Sequence, residues 1–249
     1  MRLTDAKIII TGAGSGFGKS MAMHFSEHGA QVFAIDIDQN ALSRLKDEYQ
    51  TIHTMVADVA DNNRVESTIN EIFQIEKRTN ILINNAGIMK NSPLINVLQR
   101  PDRKHKLDLW HRVIEVNQHA VFYTTRAFAD QMIANRNKGV IVNISSIAAA
   151  GNAGQTAYAA SKAAVESMTK VWAKEMGVFG IRSVAIAPGF MDTAGANDAL
   201  EEKMLSRWIE QTPLKRTGKA EEVASAVRFV IENDFVNGTV IHVNGGLNL

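Results

Sequence analysis

Seven short apolar runs, rich in Val and Ile, alternate along the chain with longer amphipathic stretches. The runs are "KIII" (7–10), "QVFAID" (31–36), "IHTMVA" (52–57), "ILINNA" (81–86), "GVIVNIS" (139–145), "IRSVAIA" (181–187) and "TVIHV" (239–243). Helical spacing of apolar residues marks the stretches near 17–28, 40–48, 61–76, 107–134, 157–177, 199–210 and 220–231. A strand that is apolar at every position has no face for solvent, so both its faces must be covered. Such strands, joined by helices, build a parallel sheet with helices on both sides. Right-handed crossovers then make it doubly wound. The pattern predicts one α/β domain over 1–249, with a sheet of about seven strands. A length of 249 residues, 45% of them hydrophobic, is enough for one large core. In sheets of this kind ligands sit at the carboxyl ends of the strands. The residues just after each run therefore carry the functional information.

After the first run comes "TGAGSGFGKS", Thr11 to Ser20. A triphosphate-binding loop would need Gly at 13, where Ala13 stands. The common dinucleotide pattern would need Gly at 17, where Phe17 stands. The pattern that fits is T-G-x-x-x-G-x-G, with Thr11, Gly12, Gly16 and Gly18, between a strand and a helix. Glycines admit phosphates to the backbone, and a helix N-terminus offers free N–H groups and a partial positive charge. The second run ends in Asp36, placed to accept both hydroxyls of an adenosine ribose and to repel a 2′-phosphate. Ser15 and Ile37 are the neighbouring side chains, and no Arg or Lys is set to welcome that phosphate, so the expected cofactor is NAD. Asp38 suits the N-cap of the following helix, which leaves Asp36 for a ligand. The third run leads to Asp58 and Val59, the expected adenine neighbours.

The fourth run ends in "NNAG" (84–87) and the fifth in "NISS" (143–146). "YAASK" follows, with Tyr158 and Lys162 four apart on one face of a predicted helix. A phenol is a poor base at neutral pH. An ammonium one turn away favours the phenolate and is expected to lower the pKa of Tyr158. The tyrosine could then take the hydroxyl proton of an alcohol as hydride leaves for an oxidised cofactor.

Together these motifs resemble the short-chain dehydrogenase/reductase family over essentially the whole chain. Thr11-Gly12-x-x-x-Gly16-x-Gly18, Asn84-Asn85-Ala86-Gly87, Asn117, the serine pair, Tyr158-x-x-x-Lys162 and Pro188-Gly189 stand in that family's order. The resemblance implies a Rossmann-type sheet of seven strands and a catalytic set of Asn117, Ser146, Tyr158 and Lys162. It implies that Lys162 also holds the nicotinamide ribose, and that Asn117 anchors a water in a proton relay. Cofactor contacts are implied for Gly12, Ser15, Gly16, Phe17, Gly18, Asp36, Asp58, Val59, Asn85, Ala86, Gly87, Tyr158 and Lys162. Pro188, Gly189, Met191 and Thr193 are implied to lie along the nicotinamide. Stretches such as "GNAGQTAYAASK" look like 3-oxoacyl-thioester reductases, and "VIENDFVNGTVIHVNGG" is closer to type II 3-hydroxyacyl-CoA dehydrogenases. Both groups act at carbon 3 of an acyl thioester, carried on coenzyme A or an acyl carrier protein. Other secondary alcohols, or a non-catalytic NAD-sensing scaffold, are the alternatives. A homotetramer is implied as well.

Two departures from the family pattern bear on detail. The loop after "NISS" is one residue short, so counting 13 back from Tyr158 names Ser145, whereas strand register names Ser146. Loops absorb deletions and strands do not, so Ser146 is preferred. The segment 88–106 is long, and Arg100, Arg103, Lys104 and Lys106 read as a solvated charged loop or, alternatively, as contacts for coenzyme A phosphates.

The remaining composition excludes more than it adds. A net charge of +1 favours neither nucleic acid nor an anionic membrane. No cysteine is present, so disulfides and thiolate chemistry are out, and a cytoplasmic setting is expected. Only a three-residue apolar run precedes Thr11, too short for a signal-peptide core, and no run approaches a membrane span. His24 and His28 are four apart but lack a completing ligand, so no metal is expected. The stretch 190–212 is expected to form a lid, with Met204, Leu205 and Trp208 on an amphipathic helix.

Overall fold

The computed structural model describes residues 1–192 and 202–248. Its main sheet has seven parallel strands: β1 Lys7–Thr11, β2 Gln31–Asp36, β3 His53–Val56, β4 Ile81–Asn84, β5 Gly139–Ile144, β6 Ile181–Pro188 and β9 Val240–Val243. They are ordered β3-β2-β1-β4-β5-β6-β9, with a second small ladder joining β7 Met191–Asp192 to β8 Gly218–Lys219. Strand order reverses between β1 and β4, which opens the crevice where a doubly wound sheet binds ligands. The helices are α1 Gly16–Glu27, α2 Gln39–Glu48, α3 Asn62–Ile75, α4 Leu107–Ile114, α5 Ala120–Ala134, α6 Thr156–Met176, α7 Glu202–Gln211 and α8 Ala220–Glu232.

Alternation along each strand sorts the core into two layers. Ile8 and Ile10 of β1 pack with Met21, Phe25 and Val227 beneath α1 and α8. Ile9, between them, packs with Phe33, Phe73 and Phe128 on the opposite face, beneath α3 and α5. Two helix starts are fixed locally. Asp38 accepts from the N–H groups of Asn40 and Ala41, and Asp61 does the same for Asn63 and Arg64. Asp38 thus takes the cap role and leaves Asp36 free of it.

The predicted continuous helix over 107–134 is interrupted. Between α4 and α5 the turn Glu115–His119 widens to π geometry. Such turns concentrate at functional sites because the extra residue redirects a side chain; here it carries Asn117. Thr193 and the expected lid residues 193–201 lie outside the described residues.

Candidate active site

The glycine turn is built by close approach. Gly12 has φ +65°, and a Cβ there would stand 2.8 Å from Cα of Ala86. A Cβ on Gly18 would meet the Gly12 carbonyl oxygen at 1.9 Å, an overlap that bars any side chain while α1 sits this near β1. Asn85 seals the turn from β4, donating from Nδ2 to the carbonyls of Thr11 (3.0 Å) and Gly12 (3.1 Å). Ser15 stands at the N-cap of α1 without a side-chain capping bond, and no atom lies within 4 Å of the space above Gly16. This open helix start, with its orphan N–H groups, fits an anionic diphosphate.

Asp36 is held by backbone on both oxygens. Gly14 donates to Oδ2 at 2.8 Å and Asp38 to Oδ1 at 3.0 Å. The carboxylate is therefore aimed across the turn, with lone pairs left for a ligand. Asp58 accepts from the Ala60 N–H at 2.9 Å, and Val59 is buried beside it. These three side chains follow β2 and β3, on the β1 side of the crevice.

On the other side of the crevice is a cavity of about 570 Å³. Of the residues singled out in the sequence, Phe17, Asn85, Gly87, Ser145, Ser146, Tyr158, Lys162, Pro188, Gly189 and Met191 line it. Met191 is buried, and its side chain packs against Gly218. Phe190 and Trp208 stack at 4.8 Å between centroids and close one wall. Trp208 is thus a cavity residue from α7.

The centre of the cavity is a ladder between the end of β5 and α6. Ser146 accepts from the Ala148 N–H at 3.1 Å, and its hydroxyl faces the phenol of Tyr158 closely enough to favour the phenolate. Lys162 donates from Nζ to the Ile144 carbonyl at 2.7 Å. Ser145 donates to Glu166 Oε1 at 2.8 Å. Three consecutive strand-end residues are thereby matched to helix positions 158, 162 and 166, one turn apart. Ser145 turns to the helix and Ser146 to Tyr158. Glu166 had no signature in the sequence beyond its spacing of four from Lys162.

Burial dominates the electrostatics. It raises the pKa of Tyr158, and the neighbouring Ser146 hydroxyl works in the opposite direction. This corrects the expectation that Lys162 lowers it: Nζ lies 5.8 Å from the ring centroid and is spent on the Ile144 carbonyl. Lys162 itself is pushed down to about 8 by burial. The charged forms of both groups are poorly solvated here, so burial favours the neutral phenol.

Asn117 is fully buried behind this cavity rather than in its wall. Its amide pairs with both backbone groups of Ile88, accepting from N–H at 2.8 Å and donating to the carbonyl at 2.9 Å. It also donates to Ser161 Oγ at 3.3 Å. The π turn is what brings it within reach. Deeper still, Asn84 donates to Thr125 (2.9 Å) and Asn143 (2.8 Å) and accepts from Thr124 (2.6 Å), while Asn143 donates to Thr169 (2.9 Å). This buried network ties β4 and β5 to α5 and α6. Its trace in the sequence is an Asn ending each of two apolar strands, which the register sets side by side.

His24 and His28 stack at 4.3 Å, and His28 Nδ1 bonds the His24 carbonyl. No group of three metal-ligating side chains occurs among the described residues. None of their helices is long and apolar enough to cross a membrane.

Known proteins share this arrangement across its length. Residues 12–248 match the family model described as enoyl-(acyl carrier protein) reductase. A 3-oxoacyl-[acyl-carrier-protein] reductase from Thermotoga maritima is 39% identical, over 99% of each chain. The chain belongs to the short-chain dehydrogenase/reductase family. It is an oxidoreductase, as its family relatives are. A (3R)-3-hydroxyacyl-CoA dehydrogenase from Canis lupus familiaris is 33% identical over 99% of this chain and 98% of its own. A sorbitol-6-phosphate 2-dehydrogenase from Klebsiella pneumoniae is 34% identical over 99% and 97%. Among solved structures, a short chain dehydrogenase from Bacillus anthracis superposes with a TM-score of 0.85 at 30% identity, covering 98% and 97% of the two chains.

Proposed function

We propose that this short-chain dehydrogenase/reductase interconverts 3-hydroxyacyl and 3-oxoacyl thioesters with NAD, using Tyr158 as acid/base. The observation that carries the reading is one cavity in which Ser146, Tyr158 and Lys162 stand together beside Ile88, Met89, Ile147, Phe190 and Trp208. Those five residues are apolar and suit an acyl chain better than a sugar phosphate.

The residues present fit a dinucleotide. Gly12, Ser15, Gly16 and Gly18 would hold the diphosphate at the open start of α1, and Asp36 the adenosine ribose. Asp58 and Val59 would flank the adenine. Phe17, Asn85, Ala86, Gly87, Pro188, Gly189 and Met191 would border the nicotinamide; Thr193 is implied there by family order. Bound nicotinamide supplies the hydride acceptor or donor. Ser146 donates to the substrate oxygen and steadies charge developing there. Tyr158 takes or returns the proton on that oxygen. Lys162 would hold the ribose. Asn117 fixes Ile88, and with it the cavity floor.

Two measurements test this. A panel of 3-hydroxyacyl-CoAs, hydroxy acids and cyclic alcohols with NAD, read by NADH absorbance, should show the thioesters turned over best. Tyr158→Phe should lower kcat by roughly 10²–10⁴ while NAD affinity survives. Retained turnover in that variant would remove Tyr158 from the role.

A further inference from the structure

The segment that leaves the active-site floor does not return directly to α4. Ile88, clamped by Asn117, begins it, and Met89 and Asn91 line the cavity. Ser92 then donates to the Gly154 carbonyl at 2.7 Å, and Gln155 donates to Asn91 Oδ1 at 2.9 Å. The segment is thus tied to the loop three residues before Tyr158. Beyond this anchor it folds on itself: Asn96 donates to Arg103 at 2.7 Å and His105 to Leu94 at 2.9 Å, with Ile95 opposite Lys104. Ile95, the partner of Lys104, follows the Ser92 anchor by three residues, a span of at most about 10 Å.

Charge on this hairpin differs from the rest of the chain. Lys90, Arg100, Arg103, Lys104 and Lys106 face a single carboxylate, Asp102, which gives +4 where the whole chain carries +1. All five cations are exposed, and among the described residues none of their side chains forms an ion pair or hydrogen bond. Asp102 is occupied by the Lys104 N–H. Beside the charges, Val97 and Leu98 are 66% and 91% exposed. Holding unpartnered like charges together costs free energy through repulsion, and apolar residues beside them gain nothing from water. Both costs are relieved by one kind of ligand, a compact polyanion attached to a flat or apolar group.

We propose that the 90–106 hairpin binds the phosphates and adenine of coenzyme A while the acyl arm enters the cavity. The proposal rests on the thioester reading of that cavity. Four of the five cations fall within positions 100–106. That spacing suits a 3′-phosphate and diphosphate at the end of one arm. A carrier protein would spread its contacts over a face of about 800 Å², whereas four of these cations lie within seven residues. Val97 and Leu98 offer the surface on which the base rests.

The test is a variant, R100Q/R103Q/K104Q/K106Q, compared with wild type on two substrates with the same acyl group. One is the coenzyme A thioester, and the other is the pantetheine thioester, which lacks the nucleotide. Binding of free coenzyme A is followed in parallel by calorimetry. In the variant, KM for the coenzyme A ester and Kd for coenzyme A should rise about tenfold or more, with kcat unchanged. Pantetheine-ester kinetics should not move. Added salt should reproduce the loss in wild type and have little effect on the variant. An unchanged Kd for coenzyme A, or equal losses on both esters, would overturn the proposal. So would a loss confined to substrates on an acyl carrier protein, which would assign the hairpin to an acidic protein partner. A wild type that binds coenzyme A through the hairpin yet turns over no thioester would sink the reaction and leave the binding site standing.

Discussion

Lys162 offers the sharpest physical test of the site, because its ammonium is buried without a carboxylate partner. The residue is 5% exposed, its Nζ is bonded to the Ile144 carbonyl, and burial moves its pKa from 10.5 to about 8. In the unfolded chain the ordinary value returns. Below pH 8 the lysine is charged in both states, and the folded state carries the whole penalty. Between pH 8 and 10.5 the folded protein has shed a proton that the unfolded chain keeps, so stability rises with pH. At about 1.4 kcal/mol per pH unit, the full relief is about 3 kcal/mol, and by pH 9.5 about 2 kcal/mol of it is realised. Lys162→Met removes the ionisation but leaves the Ile144 carbonyl without its donor, a loss of about 1–3 kcal/mol that does not depend on pH. The difference between the two proteins is therefore the quantity to follow. Urea unfolding of cofactor-free protein at fixed concentration, at pH 7 and pH 9.5, should show wild type gaining about 2 kcal/mol on the variant. That corresponds to roughly 4–8 °C in Tm. A gap that stays constant to within a few tenths of a kcal/mol would refute the reasoning. It would mean the ammonium is solvated in the folded state.

Other expectations follow from the same geometry. Ser146→Ala should cost roughly 10²–10³ in kcat, since it removes a preorganised donor, whereas Ser145→Ala should have a small effect; steady-state kinetics with the reverse ranking would put the wrong serine at the substrate. Asp36→Ala should weaken NAD and narrow its advantage over NADP, and a wild type that uses NADP at least as well as NAD would defeat the reading of β2. His24 is held below its ordinary 6.5, first by burial and then by His28 and Arg228, and its Nε2 has no partner. It must gain a proton on unfolding, so stability should fall as pH drops below about 6.5. His24→Leu should flatten that acid limb of the Tm–pH curve; an unaltered limb would show that other groups set it.

Much of this protein was legible in one dimension. Runs apolar on both faces, such as 32–35 and 184–187, have no solvated face, so a covered parallel sheet is implied, and β2 and β6 contain them. Glycines at 12 and 18 and a carboxylate at 36 are set by chemistry that acts within a turn or across adjacent strands. Tyr158 and Lys162 share a face because a helix has 3.6 residues per turn. What the sequence left open depends on groups distant along the chain. Counting and register disagreed over the serines, and the partner in each case, Tyr158 or Glu166, belongs to a separate helix that only packing brings to β5. The π turn under Asn117 has no local signal, because it answers the distant backbone of Ile88. The pKa of Tyr158 moved opposite to the motif's logic, since spacing reports a neighbouring charge but not the loss of water around it. Desolvation is a property of the folded volume, and only the tertiary structure could decide its sign.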